Sequence, residues 1–439
     1  IFMNGEFAMD KYARLIYQPC LPLGRDGRKV TASPEHAALS RKAAGEGMVL
    51  LKNLGGALPL KRGEKVALFG KATIEYIKGG GGSGDVYTAY VRNIYDGFAE
   101  KEAEGKVSVY MPTVEFYKEY VKEESKKIPT RAQIEKIWDK VNAMDFCKEK
   151  DDIIYDTFAS MHVREAAVPD ELINIAAENA DVAVITLSRF SAEGVDRKPI
   201  DSDYYLSFEE KSLINRASKA FKKTIVVLNS GAVVDCEHFA DNDKVQGILF
   251  GWQGGLEGGA AVADILCGDV CPSGKLADTI PVSYYSYQNA EEFLTGFEHL
   301  DYYDDIYVGY RYFETVPGAA ERVRYPFGFG LSYTDFELSG VLCGETDGKI
   351  VVSVNVKNIG SVPGKETVQL YYSAPKGVLG KPAKELAAFA KTHLLNPGES
   401  ETLALSFDIA DMASFDDLGK VKKAAYVLEP GKYSFYLGN

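Results

Sequence analysis

Four short runs in this chain are apolar without alternation: KVALFG at 65–70, DVAVITLS at 181–188, TIVVLNS at 224–230 and GILFG at 247–251. A strand with one wet face alternates apolar and polar residues, so strands like these are buried on both sides. Parallel sheets covered by helices on both faces produce that pattern. Helical periodicity fills the intervals. SFEEKSLINRASKAF (207–221) offers Ser207 as an N-cap with Glu210 three residues on, a capping-box pair. PEHAALSRKAAGEGMVLLKN (34–53) reads as one helix that starts at Pro34 and ends at the turn after Asn53. Residues 100–170, rich in Lys, Glu and Tyr, read as surface helices inserted between the first and second strands. The expectation for 35–300 is an α/β sandwich with a mostly parallel sheet.

The period then changes. KIVVSVNVKNIG (349–360), ETVQLYYSAP (366–375), ETLALSFDI (401–409) and GKYSFYLGN (431–439) alternate with period two between Pro/Gly turns. This predicts an all-β sandwich of roughly seven strands over 336–439. Residues 301–335 are aromatic and Gly-rich, and read as a packed connector. Residues 1–8, IFMNGEFA, read as vector-derived, and 9–34 as an extended N-terminal arm. Neither holds the basic and apolar regions of a secretory signal, so the expected location is cytoplasmic.

Composition removes whole classes of function. A net charge of −13 and the lack of any Lys/Arg cluster argue against nucleic acid or an anionic membrane surface as partner. No run of 18 apolar residues exists to span a bilayer. Of six cysteines, only Cys267 and Cys271 approach a metal spacing. They flank a Gly-Asp turn with no second pair and no nearby histidine, so no metal is expected there, and free or buried thiols are.

In an open parallel sheet, ligands bind beyond the carboxyl ends of the strands. Here those ends run into GKATIEYIKGGGGSGD, RFSAEGVDR, NSGAVVD and GWQGGLEGG. In the last two, glycine reads as a residue that lets a short loop turn. The run at 79–84 is different, because successive glycines lose much entropy on folding and need close approach or unusual dihedrals to justify them. A phosphate-cradling loop would place Lys-Ser/Thr after the last glycine, whereas Asp85 and Val86 follow; a dinucleotide fingerprint would start directly at the strand. No nucleotide or other cofactor is expected. In SRFSAEGVDR (188–197), Glu193 has Arg189 and Arg197 four residues to either side. From these residues alone, an ion pair to one of the arginines is the first reading, with Asp196 as competing partner.

RKAAGEGMVLLKN, KGGGGSGD, SRFSAEGVDR, WQGGLEGGAAVADILCGDVCPSGKL and the YRYF and YPFGFGLSYT pieces occur in this order. Together they resemble the non-barrel half of glycoside hydrolase family 3, the β-glucosidase type. The C-terminal VNVKNIGSVPGKETVQLYYS resembles the fibronectin type III-like domain that many of those enzymes carry. The resemblance runs from about residue 35 to 439.

That resemblance implies a retaining mechanism on a β-glucoside or cello-oligosaccharide. The general acid/base is expected at Glu193, with Ala192 where the family usually has glycine. Ser83 is expected to bind sugar in the −1 subsite. The family's nucleophile is an aspartate supplied by a (β/α)8 barrel, and no eightfold βα pattern occurs here. Ser202-Asp203-Tyr204 and Thr334-Asp335-Phe336 look like its motif, but neither follows an apolar strand. The expectation is therefore an acid/base half that works with a barrel half as partner, a separate or cleaved chain, as in members with reversed domain order. β-Xylosidase, exo-β-glucanase and N-acetylglucosaminidase activities, or a noncatalytic carbohydrate-binding or scaffolding role, are the alternatives.

Overall fold

The computed structural model describes residues 32–81, 86, 88–145, 147–191, 196–293, 299 and 301–438. Residues 1–8 and nearly all of the arm at 9–34 lie outside the described residues.

The first half is a six-stranded sheet in the order β1-β6-β5-β4-β2-β3. Its members are β1 Val49–Asn53, β2 Lys65–Phe69, β3 Ser108–Val109, β4 Val182–Arg189, β5 Lys223–Ser230 and β6 Gly247–Phe250. All neighbours run parallel except β1, which pairs antiparallel with β6. The helices, in chain order, are α1 Pro34–Gly47, α2 Ile94–Ala103, α3 Met111–Glu124, α4 Arg131–Asn142, α5 Lys148–Ser160, α6 Asp170–Asn179, α7 Phe208–Ala220, α8 Glu237–Ala240 and α9 Gly258–Leu266.

The doubly apolar runs are explained by what covers them. Ala67, Phe69, Ile185, Leu187, Val226 and Leu228 pack with Tyr117 of α3, Ile173 of α6 and Leu213 of α7. Their sequence neighbours Val66, Leu68, Val184, Ile225 and Val227 point the other way, onto Ile94 and Phe98 of α2 and Val262 and Ile265 of α9. Successive strand residues thus feed two separate cores, each holding side chains worth about 1.5–3 kcal/mol apiece when fully buried. The Ser207 cap forms as read: Glu210 N–H donates to the Ser207 hydroxyl, and the Glu210 carboxylate accepts from Ser207 N–H.

The first helix is shorter than its sequence suggested. It stops at Gly47, and Val49–Asn53 turns into the antiparallel edge strand β1. MVLLKN is apolar at both helical and strand spacing, so periodicity alone could not place the break. Pairing with β6 decides it.

Further along, β7 (Ile280–Pro281) and β8 (Val323–Tyr325) form a small ribbon, with α10 at Tyr310–Thr315 between them. The stretch after β8 is tied to the first half: Leu331 N–H donates to Leu50 O, and Leu276 N–H to Phe329 O. The second half is all β. β9 (Phe336–Thr346), β10 (Lys349–Asn358) and β13 (Ser400–Asp408) make one sheet, and β11 (Thr367–Ser373), β12 (Glu385–Lys391) and β16 (Ser434–Gly438) the other. β14 (Ser414–Asp416) and β15 (Ala425–Val427) form a side ribbon. Val352, Val354, Val356, Val368, Leu370, Leu403 and Leu405 alternate inward to fill the sandwich. No closed barrel occurs among the described residues.

Candidate functional site

The loops leaving β2, β4, β5 and β6 gather at one edge of the sheet, and their meeting is built from named contacts. Asn229, 1 % exposed near the end of β5, acts as a side-chain bridge. It accepts from Ile77 N–H and donates to Ile77 O and Trp252 O, each at 2.9 Å, joining the first and fourth loops. Gly255 N–H donates to Lys78 O at 2.8 Å, and Gly254 N–H to the Tyr76 hydroxyl at 3.1 Å. Tyr90, at the far end of the Gly-rich loop, donates to Glu257 at 2.5 Å.

Ser191 is where the other loops join. Gly81 N–H donates to Ser191 O at 2.8 Å, and Gln253 Nε2 reaches Ser191 Oγ at 3.4 Å. A Cβ on Gly231 would sit 2.8 Å from Gln253 Oε1 and 3.2 Å from Ser191 Oγ. Glu193 and Ser83 themselves lie outside the described residues. Gly81, two residues before Ser83, and Ser191, two before Glu193, are hydrogen-bonded to each other.

The glycines of the fourth loop do more than permit a turn, which corrects the sequence reading. A Cβ on Gly258 would lie 2.2 Å from the Tyr76 hydroxyl, and one on Gly259 would lie 2.2 Å from Asn93 O. Only bare backbone lets α9 start against the first loop.

The arginines beside Glu193 have partners that sequence reasoning missed. Arg189 is 5 % exposed. Its Nη1 and Nη2 grip the Glu210 carboxylate at 2.6 and 2.7 Å, and its remaining donors go to Ser188 O, Asp203 O and Tyr205 O. A guanidinium has five N–H donors, and all five are used. Arg197 pairs through Nε with Asp203 Oδ1, donates from Nη2 to Asp203 O at 2.7 Å, and meets Ser230 Oγ at 3.4 Å. Asp203 and Glu210, not Asp196, are the competing carboxylates. Glu210 was visible as a helix cap, but its second partner stands 21 residues back along the chain. Asp203, in a Ser-Asp-Tyr that resembles the nucleophile motif, is 5 % exposed and committed to Arg197.

Between the end of β4 and α5 lies a cavity of about 350 Å³, lined by Phe190, Ser191, Asp196 and Arg197 on one side and Tyr155, Phe158 and His162 on the other. On its wall, desolvation pushes the Glu165 carboxyl up to about 7, against the pull of N–H donation from Lys71 and Ala166. A larger cleft of about 890 Å³ adjoins Arg197 and is lined by Tyr284, Tyr287, Tyr302 and Tyr303 with Asp304 and Asp305. Burial raises the Cys267 thiol to about 12, away from the thiolate that a metal would need. Among the described residues, Asp235, Glu237 and His238 bring possible ligand atoms within 4.8 Å of one another, an arrangement common on acidic surfaces. Among the described residues, no helix is long and apolar enough to cross a membrane.

A doubly covered parallel sheet with its loops gathered at one edge, followed by a β-sandwich, defines a two-domain α/β-plus-β class of protein. Residues 48–333 match the glycosyl hydrolase family 3 C-terminal domain, and 366–439 match the fibronectin type III-like domain. The chain belongs to glycosyl hydrolase family 3. It is 45 % identical to "Beta-glucosidase A" of Butyrivibrio fibrisolvens over 98 % of this chain and 52 % of that protein. A crystal structure of a β-glucosidase from Paenibacillus barengoltzii superposes with a TM-score of 0.81 at 36 % identity, covering 93 % of this chain and 42 % of that one. β-Glucosidase 3B of Thermotoga neapolitana, solved in complex with glucose, gives 0.78 at 37 % identity, covering 92 % and 52 %. The chain spans about half the length of the relatives it matches.

Proposed function

We propose that this chain is the acid/base-carrying half of a retaining β-glucosidase, acting on terminal β-D-glucosyl residues together with a (β/α)8 barrel half that supplies an aspartate nucleophile. The observation that carries the reading is the Gly81–Ser191 hydrogen bond, which roots the Gly-rich loop and the Glu193 loop at one point of the sheet edge. The names of the relatives, β-glucosidases, support the substrate class. In this reading Glu193 protonates the glycosidic oxygen as its bond to the sugar breaks. It then takes a proton from the water that attacks the glycosyl-enzyme. Ser83 holds the sugar in the −1 subsite. Arg189, with every donor used, is not available to hold Glu193 as an ion pair, which favours the acid/base role over the structural one.

The test is Glu193→Ala in the assembled enzyme. Substrates with poor leaving groups should lose most activity, while glycosylation by a dinitrophenyl glucoside, whose leaving group departs unprotonated, should be largely spared. Deglycosylation should slow by about 10²–10⁴-fold for want of a base. Azide should restore turnover and yield a β-glycosyl azide of retained configuration. Loss of the same size for every leaving group, without azide rescue, would reject the assignment.

A further inference from the structure

The cleft of about 890 Å³ beside Arg197 is unused by the reaction described so far. One end of it lies at the gathered loops, since Ala232 and Val233 line it and follow directly on Gly231. Tyrosines make its floor. Tyr204 and Tyr284 meet edge to face with ring centroids 5.2 Å apart, and Tyr284 meets Tyr287 in the same way at 6.3 Å. The Tyr287 hydroxyl is committed to Thr279 O at 3.2 Å. Tyr204 and Tyr284 are only 6 % and 9 % exposed, yet among the described residues neither hydroxyl has a hydrogen-bond partner. A buried hydroxyl without a partner is costly, and neither of these is enclosed by protein. Two more rings stand at the rim: Tyr303 is 51 % exposed and Tyr302 88 %.

We propose that this cleft holds the leaving-group side of a neutral, β-linked glucose chain, binding sugar units beyond the one that is cleaved; the proposal rests on the β-glucosidase reading given above. A pyranose ring in such a chain presents C–H groups on its faces and hydroxyls around its rim. Tyrosine rings pack on the faces, and tyrosine hydroxyls and carboxylates take the rim. The volume lies towards the upper end of the range of about 300–1,000 Å³ found for small-ligand pockets, so it suits more than one ring.

Charge narrows the occupant further. Asp278, Asp301, Asp304 and Asp305 border the cleft, and the charge of Arg197 is already matched by Asp203. An anionic ligand would be repelled there. A neutral sugar meets acceptors instead. Asp301 takes the Tyr303 hydroxyl at 3.1 Å and Asp304 the Asn289 side-chain amide at 3.3 Å. Each of these carboxylates keeps acceptor capacity beyond that one bond.

The experiment is an NMR titration of this chain, carbon-13-labelled on its tyrosines, with cellotetraose and separately with glucose. Cellotetraose should shift the Tyr302 resonance, identified by its loss in Tyr302→Ala, and glucose should bind about tenfold more weakly. Tyr302→Ala, a change at an exposed position, should raise the Kd for cellotetraose about tenfold. Tyr204→Phe/Tyr284→Phe, which removes two hydroxyls and keeps both rings, should raise it by about threefold or more. If that double variant does not fold, Tyr302→Ala decides alone. Added salt should leave the Kd where it is, because the ligand is neutral. Absence of cellotetraose binding, equal binding of glucose, or binding that ignores the tyrosine changes overturns the proposal. Tighter, salt-sensitive binding of a chitosan tetramer would mark a site for cations and overturns it as well. In the assembled enzyme, kcat/KM for cellotetraose relative to cellobiose should fall in Tyr302→Ala. An unaltered ratio would put the cleft off the substrate path and overturn the proposal. The titration needs no barrel and no turnover, so it can fail while the azide test succeeds, and the reverse.

Discussion

At the scale of single residues, the chain keeps ionisable groups where solvation is poor, and among the described carboxyls Glu165 is one that burial moves into an accessible titration range. Desolvation raises it to about 7, while Lys71 N–H, Ala166 N–H and the Tyr117 hydroxyl hydrogen-bond to it. Between the ordinary carboxylate value and about 7 the unfolded chain has released this proton and the folded chain still holds it. The folded state then binds more protons, so stability is full at acid pH and declines as pH rises through that window. Glu165→Gln does not titrate. The melting temperature of the variant minus that of wild type should increase from pH 5 to pH 8, by about 2–4 °C for each kcal/mol the buried charge costs. A difference that stays flat with pH would show that Glu165 ionises normally. This residue scale was the least legible in the sequence. Glu193 and Ser83 stood out through their motifs, and both lie outside the described residues, whereas Glu165 carries no local signature and the motifs around Asp203 and Gln253 did not show what either residue holds. Their roles come from neighbours far off in the chain, such as Tyr117 beneath Glu165, 48 residues away.

At the scale of elements, the sequence was most informative where one physical constraint acted alone. The four parallel strands were visible because covering both faces forces continuous apolar runs. β3, with two residues, is too short to carry a pattern, and β1 was hidden inside a helical text. Glycines were only half legible: their presence was plain, but whether each serves a turn or a contact depends on what lies opposite. Gly259 and Gly251 separate these roles. A Cβ at 259 would fall within 2.2–2.6 Å of the backbone of Arg92 and Asn93, the cap of α2, whereas one at 251 would meet nothing closer than 3.4 Å. Gly259→Ala should force α9 away from α2 and lower stability by about 1–3 kcal/mol, as overpacking does. Gly251→Ala should cost less. Urea denaturation of the two variants reads the difference, and equal losses would reject the packing role. Because α2 follows the arm at Tyr90–Asn93 that ends the Gly-rich loop, Gly259→Ala should also disturb that loop.

At the scale of the whole molecule, the seam between the α/β half and the β-sandwich is polar and buried. Lys275 meets Glu366 at 3.0 Å, with side-chain exposures of 12 % and 6 %, and Lys275 also donates to Gly330 O at 3.0 Å. Beside it, Thr367 Oγ1 donates to Ser273 O, Gln369 Nε2 to Gly328 O, and Lys391 Nζ to Ser273 Oγ and Glu46 O. Lys365 closes the edge on Glu46 at 2.6 Å. A charge buried in such a seam is costly unless its partner is present. Removing one partner of a buried pair leaves the other unpaired and costs about 3–5 kcal/mol, while replacing both by apolar residues of similar size is often near neutral. The two halves should therefore unfold in one calorimetric transition in the wild type. Glu366→Ala should lower and split it, as the sandwich parts from the α/β domain before either melts. Lys275→Met/Glu366→Met should restore a single transition near the wild-type temperature. If the seam were held by shape alone, Glu366→Ala would leave one transition nearly unmoved, and the double variant, which loses the same contacts, would behave no better than the single one.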